Sequence, residues 1–111
     1  IRPGMILFPM GSYQECEDSC ILNADRIIVD HIEQALHRGA LADLSASGQI
    51  PDRHIHATIG EIAAGKKVGR QNENESVVCV PIGTGAMDIA VATVALERVL
   101  QKGLGEKFAF V

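Results

Sequence analysis

Two short glycine-containing segments carry the residues best suited to touch a ligand. Gly11-Ser12-Tyr13 follows one apolar run, and Gly83-Thr84-Gly85 follows another and precedes a helical pattern. Open parallel sheets bind ligands at the carboxyl ends of their strands, and glycine lets a flat ring approach the backbone closely. The first segment fits a ligand contact and a tight turn equally well. The second partly matches a dinucleotide-binding turn, but Asp88 stands where that fingerprint needs its third glycine, which favours a plain strand-to-helix turn.

Asp88 is itself a candidate, because it is an acid inside the apolar stripe of the last helical pattern. The helix dipole favours a carboxylate near the start of a helix. A structural role at the helix start and a contact in a functional site are therefore both consistent with its position.

Two further patterns favour structural explanations. Residues 60–66 spell GxxxxGK, but Lys67 replaces the Ser or Thr of a P-loop, and the segment has the pattern of a helix and its end rather than of a loop after a strand. Asp52, His54 and His56 alternate along a segment that we expect to be extended, as three potential metal ligands. A solvated loop is the simpler interpretation, and we predict no metal site.

The composition indicates a globular protein and excludes several classes. The chain has 111 residues, of which 47% are hydrophobic and 22% charged, with a net charge of −4. Such a chain has no general attraction to phosphate backbones, so we expect no nucleic-acid partner. No apolar run reaches the length of a membrane helix. The three cysteines fit no zinc motif, and reduced thiols in a cytoplasmic protein are the simplest interpretation, with Cys16 and Cys20 partly buried.

The hydrophobic patterns predict an α/β order of elements. The predicted elements are strands at 5–10, 26–30 and 76–81, one or two helical turns within 15–24, helices at 31–44, 58–65 and 84–102, and a terminal strand at 107–111. We expect Gly39 to loosen the middle of the second helical pattern. Continuous rather than alternating hydrophobicity in the strands predicts a parallel sheet covered by helices on both faces.

Four segments, in order and at matching spacing, resemble the C-terminal third of the ornithine cyclodeaminase and mu-crystallin family. They are residues 2–5 leading to Gly11, 24–30, 60–70 and 82–90. The stretch GEIAAGKKVGR followed by a strand and IGTGAMDIA is the most specific of them.

This resemblance implies a cytoplasmic, homodimeric enzyme that binds NAD or NADP and acts on a small amino acid or cyclic imino acid. It also implies that residues 1–56 are the closing part of a Rossmann-like domain. Residues 57–111 are then a crossover, a strand and a long helix that returns to the dimerisation domain. The family's glycine-rich dinucleotide turn has no match in this chain, so we expect a fragment that is inactive by itself.

The resemblance also implies site residues. On the cofactor side these are Met10, Gly11, Ser12, Tyr13 and Pro81, and on the substrate side Ile82 and Gly83. Tyr13 and Asp88 are the catalytic candidates. Tyr13 stands where the family usually has an Asp, and Pro81 where many members have a Ser. The loop after Tyr13 is shorter than in the family and lacks its lysine.

These departures bear on the reaction. A phenol is a poor base at neutral pH but can donate a hydrogen bond to an imine or a carbonyl. We therefore expect an amino-acid dehydrogenase or imine reductase. The alternatives are an ammonia-eliminating cyclodeaminase that uses NAD, and a non-catalytic binder of NADPH and a small ligand, as in mu-crystallin.

Overall fold

The computed structural model describes residues 1–109, and a four-stranded parallel sheet forms its centre. In chain order the strands are β1 (Ile6–Leu7), β2 (Arg26–Val29), β3 (Ile55–Thr58) and β4 (Val77–Val80). Their order across the sheet is β1-β4-β2-β3, and every neighbouring pair is parallel. The helices are α1 (Asp18–Leu22), α2 (Ile32–His37), α3 (Ala42–Ala46), α4 (Ile59–Ala63) and α5 (Gly85–Gln101). The predicted α/β class and parallel sheet are confirmed.

The two faces of the sheet are covered to different extents. On one face, side chains of β2, β3 and β4 join α1, α2 and α3 in the larger hydrophobic cluster, which includes Ile21, Ile27, Val29, Leu36, Leu41, Leu44, Ile55, Val78 and Val80. On the other face, Ile28, Val77 and Cys79 form a small cluster packed against Ile59 and Ile62 of α4. Both faces of the central strands are therefore buried, which explains their continuous apolar sequence.

The strand predictions are confirmed for β2 and β4 and in part for the run 5–10, and one strand was missed. The run 5–10 pairs with β4 at Ile6 and Leu7, the Val77 N–H also donates to the Met5 carbonyl oxygen, and the pairing stops before Pro9, which has no N–H to donate. The predicted order also contains no strand at Ile55–Thr58. This strand alternates buried and half-buried side chains, with His56 in its middle, and so lacks the continuous apolar run of its neighbours.

The helix predicted over 31–44 is interrupted where Gly39 lies. Arg38 has φ −150° and ψ 147°, and Gly39 has a φ of +75° that favours glycine. The chain then forms a turn of 3-10 helix at Gly39–Leu41 before α3 begins. Gly39 thus divides the predicted helix into two short ones rather than loosening it.

The other helices confirm their sequence signals. α1 lies within residues 15–24, where one or two helical turns were predicted. The Thr58 and Glu61 side chains form a capping box at the start of α4, within the helix predicted at 58–65, and Gly65 follows the helix with a φ of +69°. α5 confirms the predicted long helix. The prediction of a terminal strand is wrong at residues 107–109, which have no regular structure. The last two residues of that prediction, 110–111, lie outside the described part of the chain.

α5 extends from the sheet without burying any of its residues. Its exposed apolar side chains include Ile89, Val91, Leu96 and Leu100, each more than half exposed. No helix within residues 1–109 is long and apolar enough to cross a membrane.

The boundary predicted between residues 56 and 57 falls inside β3. β4, from the second predicted region, pairs with both β1 and β2 from the first. Both regions thus contribute to one sheet, and their assignment to two domains of a complete protein stays a prediction.

Candidate functional site

The carboxyl ends of β1 and β4 meet around Gly39. A Cβ atom on this glycine would lie 2.8 Å from Ile82 Cδ1 and 3.1 Å from the carbonyl oxygen of Gly11. The segment after β1 and the segment after β4 therefore approach the same point of the backbone, at the edge where open parallel sheets bind ligands. The structure brings together Gly11 and Ile82, for which the family resemblance implies a cofactor-side and a substrate-side role.

Asp30, directly after β2, fixes the turn that follows β4. Its Oδ2 accepts a hydrogen bond of 2.6 Å from the N–H of Gly83, and its Oδ1 accepts one of 2.8 Å from the N–H of His31. Gly83 has a φ of +91°, and no atom lies within 4 Å of the place where a Cβ would stand. This turn is therefore open on its outer side and held by a carboxylate on its inner side.

The segment after β1 is tied at two points. The N–H of Gly11 donates a 2.6 Å hydrogen bond to Glu15 Oε2, and Arg38 Nη2 donates one of 2.9 Å to Ser12 Oγ. Met10 and Tyr13, on either side, are 69% and 84% exposed. Hydrogen bonds therefore hold this segment in place, while the side chains of Met10 and Tyr13 remain exposed and accessible to a ligand.

The remaining predicted site residues lie at the start of the last helix. Pro81 is half-buried directly after β4. Asp88 lies in the first turn of α5 and is exposed, and its carboxylate forms no hydrogen bond or ion pair with any residue in the described range. The structure therefore does not join Asp88 to the two segments around Gly39.

The two phosphate-binding patterns are structural in this chain. Gly83-Thr84-Gly85 is the strand-to-helix turn, and the bond from the Gly83 N–H to Asp30 puts a negative charge where a phosphate would have to bind. Residues 60–66 do follow a strand, β3, contrary to the prediction. They nevertheless form α4 and its end, where Lys66 N–H donates to the Glu61 carbonyl, so no loop is left to surround a phosphate.

The three potential metal ligands do not share a site. Asp52 and His54 lie in a turn of 3-10 helix, so the segment is not extended as predicted. The His56 ring lies 2.6 Å from Arg26 Nη1, and its Nε2 lies 2.8 Å from the Val68 carbonyl oxygen. Within residues 1–109 no group of three or more His, Cys, Asp or Glu side chains is arranged to hold a metal ion.

Ion pairing and hydrogen bonding at the amino ends of the strands stabilise the sheet. Arg26 forms two hydrogen bonds with Glu75, of 2.8 and 3.1 Å, and these bonds lower the pKa of the Glu75 carboxyl. Asp25 Oδ2 accepts bonds of 2.7 Å from both the hydroxyl and the N–H of Ser76, which lower the pKa of Asp25. These charged groups lie at the edge opposite the candidate site.

The cysteines are poorly suited to nucleophilic chemistry. Cys16 and Cys20 are partly buried, as predicted, and Cys79 is buried in β4. Burial raises the pKa of the Cys16 and Cys79 thiols, which disfavours the reactive thiolate.

Sequence reasoning missed three residues that shape the site: Asp30, Arg38 and Gly39. The available signal for Asp30 was an acid at the carboxyl end of a buried strand. Arg38 lies inside the helical pattern predicted over 31–44, and Gly39 was expected to loosen that helix but not to contact the site.

An open parallel α/β sheet with glycine-containing turns at its carboxyl edge defines the class of Rossmann-like folds. Within that class, the model of the ornithine cyclodeaminase/mu-crystallin family matches residues 2–103. The chain belongs to this family, as the sequence segments indicated.

Relatives agree in sequence and in fold. An alanine dehydrogenase of Archaeoglobus fulgidus is 40% identical over 90 residues, which are 81% of this chain and 28% of that protein. The structure of an archaeal alanine dehydrogenase dimer with bound NAD matches with a TM-score of 0.82 and 34% identity, over 100% of this chain and 36% of that one. The Thermococcus litoralis Δ(1)-pyrroline-2-carboxylate reductase, in complex with NADH and L-proline, matches with a TM-score of 0.85 and 28% identity, over 97% of this chain and 35% of that one. This chain therefore spans about a third of the length of these relatives.

Proposed function

We propose that this chain is the C-terminal third of an NAD(P)-dependent oxidoreductase that acts on a small amino acid or a cyclic imino acid. The observation that carries the proposal is the meeting of Gly11 and Ile82 around Gly39 at the carboxyl edge of the sheet. The alanine dehydrogenase with bound NAD and the reductase with NADH and L-proline share the fold of the whole chain, which supports the proposal.

The residues of the site fit a nicotinamide dinucleotide. Gly83 carries no side chain to obstruct a flat ring, and no atom lies within 4 Å of its Cβ position, whereas at Gly11 the corresponding place is occupied by the Glu15 carboxylate, 2.7 Å away. The cofactor would be held by Met10, Gly11, Ser12, Tyr13 and Pro81, with Ile82 and Gly83 facing the substrate. When bound, the nicotinamide supplies or accepts the hydride, and the protein supplies binding and orientation.

Tyr13 is an exposed polar group of the site that could contact the substrate. Its side chain is 84% exposed beside the fixed backbone of Gly11 and Ser12. A phenol hydroxyl there donates a hydrogen bond to the nitrogen or oxygen of an imine or carbonyl substrate, which favours attack at the carbon. Such a group suits a dehydrogenase or imine reductase better than a cyclodeaminase, which needs a stronger base.

The exposed length of α5 supports an assembly larger than this chain. Ile89, Leu96 and Leu100 lie on one side of the helix and are each more than half exposed, and an exposed apolar face of this kind is typical of an interaction surface. We propose that residues 57–111 carry this helix to a dimerisation domain, that residues 1–56 close the cofactor domain, and that the complete protein is a cytoplasmic homodimer. The 111-residue chain alone would then lack turnover.

The test is an assay of the complete protein with NADH and NADPH at 340 nm. Pyruvate with ammonium and Δ(1)-pyrroline-2-carboxylate are the first substrates, and L-alanine and L-proline serve for the reverse direction with NAD and NADP. Net oxidation or reduction of the cofactor supports the proposal. Ammonia release from L-ornithine without net NADH identifies a cyclodeaminase, and cofactor binding without turnover of any of these compounds identifies a binding protein.

A further inference from the structure

Arg38 reaches across 26 residues of sequence to the segment proposed to contact the cofactor. Its Nη2 donates a 2.9 Å hydrogen bond to Ser12 Oγ. The ion pairs recorded among residues 1–109 join Arg26 to Glu75 and Lys67 to Glu61, so Arg38 has no carboxylate partner in this range. Its guanidinium is therefore engaged by the hydroxyl of Ser12 rather than by a salt bridge.

The backbone around Arg38 is shaped to bring it there. α2 ends at His37, Arg38 adopts an extended conformation, and Gly39 turns with a φ of +75° against the Gly11 carbonyl oxygen. Residues 38 and 39 thus approach residues 11 and 12 twice, once through the side chain and once through the backbone.

The contact also borders a cavity beside Tyr13. This cavity has a volume of about 260 Å³ and is lined in part by Ser12, Tyr13, His37, Arg38 and Asp43. Tyr13 itself forms no hydrogen bond within the described residues. Tyr13 directly follows Ser12, the residue whose hydroxyl Arg38 holds.

We propose that Arg38 is a positioning residue: through Ser12 Oγ it fixes the Ser12-Tyr13 segment in the conformation that receives the cofactor. The bond is charge-assisted, and such bonds are stronger than those between neutral groups. The conformation of this segment in the ligand-free protein does not depend on which reaction the protein catalyses. That this conformation binds the cofactor rests on the proposed function.

The test compares Arg38→Met, Ser12→Ala and the double variant in the complete, ligand-free protein. Chymotrypsin cleaves after Tyr13, and mass spectrometry gives the rate at that bond. We expect Arg38→Met to raise the rate about three- to tenfold, as for the loss of one hydrogen bond to a charged donor at an exposed site. Ser12→Ala should act similarly, the double variant should be no faster than either, and Arg38→Lys should recover part of the protection. Arg53→Met, at another exposed arginine, is the matched control and should leave the rate unchanged.

The second readout is the kinetics of the same variants. Arg38→Met should raise the KM for the cofactor about three- to tenfold with a smaller change in kcat, because it acts on the segment that binds the cofactor. An unchanged cleavage rate in Arg38→Met, or additive effects of the two substitutions, overturns the inference. Faster cleavage with an unchanged cofactor KM in an active protein overturns it as well. If the unaltered protein has no cofactor-linked turnover, the proposed function fails, and cleavage alone decides whether Arg38 orders the segment.

Discussion

Gly39→Ala is the substitution with the clearest expected effect on the site. The new Cβ would meet Ile82 Cδ1 at 2.8 Å and the Gly11 carbonyl oxygen at 3.1 Å, at a φ of +75°. Gly48→Ala is a matched control, since Gly48 has a φ of +74° and no atom within 4 Å of its Cβ position. The two variants thus carry the same backbone strain, and only one of them disturbs the junction of the two segments.

The magnitudes follow from these distances. A non-glycine residue at such a φ costs about 1–2 kcal/mol, which both variants lose. Overpacking adds about 1–3 kcal/mol at Gly39, because the Ile82 side chain and the Gly11 backbone must both move. Gly39→Ala should therefore destabilise the sheet by about 1–3 kcal/mol more than Gly48→Ala does.

The assay is native-state hydrogen exchange of β4 peptides in the complete protein, at increasing urea concentration, which reports the free energy of opening this sheet. Adding Ile82→Val to Gly39→Ala removes Cδ1 and should recover part of the loss. Activity should fall in Gly39→Ala and stay unchanged in Gly48→Ala. Equal losses of stability in the two glycine variants would refute the reasoning, because the contacts around Gly39 would then carry no energetic weight.

Three other substitutions test separate contacts. Asp30→Asn should raise the substrate KM about tenfold or less, because a neutral amide holds the Gly83 N–H more weakly; unchanged steady-state kinetics would exclude Asp30 from site geometry. Asp25→Asn should lower the free energy of unfolding at neutral pH and make that free energy fall less steeply as the pH is lowered. Because the Ser76 hydrogen bonds lower the pKa of Asp25 from 3.8, the contribution of its carboxylate to the free energy of unfolding is present above that pH and is lost as the pH falls through the pKa of the folded state. A free energy of unfolding that falls as steeply with acid as in the unaltered protein would contradict this. Tyr13→Phe should reduce kcat about tenfold to a hundredfold, and unchanged turnover would remove Tyr13 from the mechanism.

The parts of the fold that the sequence predicts well are those with local signals. β2 and β4 are apolar throughout because they are buried on both faces, and α4 carries its capping box in Thr58 and Glu61. β3 is different, because half-burial leaves it only a short alternation of apolar and polar residues, Ile55-His56-Ala57-Thr58. The break at Gly39 depends on where Gly11 and Ile82 lie, which no local pattern contains.

The candidate site also contains some features that local sequence patterns predict and others that they do not. Gly11 and Gly83 could be recognised, since glycines after predicted strands are a local feature. The bonds from Arg38 to Ser12 and from Gly83 to Asp30 depend on the strand order β1-β4-β2-β3, which sets distant segments side by side. Hydrophobic periodicity carries no information on that order.

The strand order also constrains how the chain can be made. β1 and β2 are synthesised before β4 but do not pair with each other, because each pairs with β4, where Ile6 and Arg26 both face Val77. A nascent chain that has not yet reached residue 77 therefore holds an apolar β1 with no partner among the described strands, and closing such a long loop slows folding. A chain truncated before Val77 would lack the strand that joins β1 to β2, and such a product would be a substrate for chaperones and proteases.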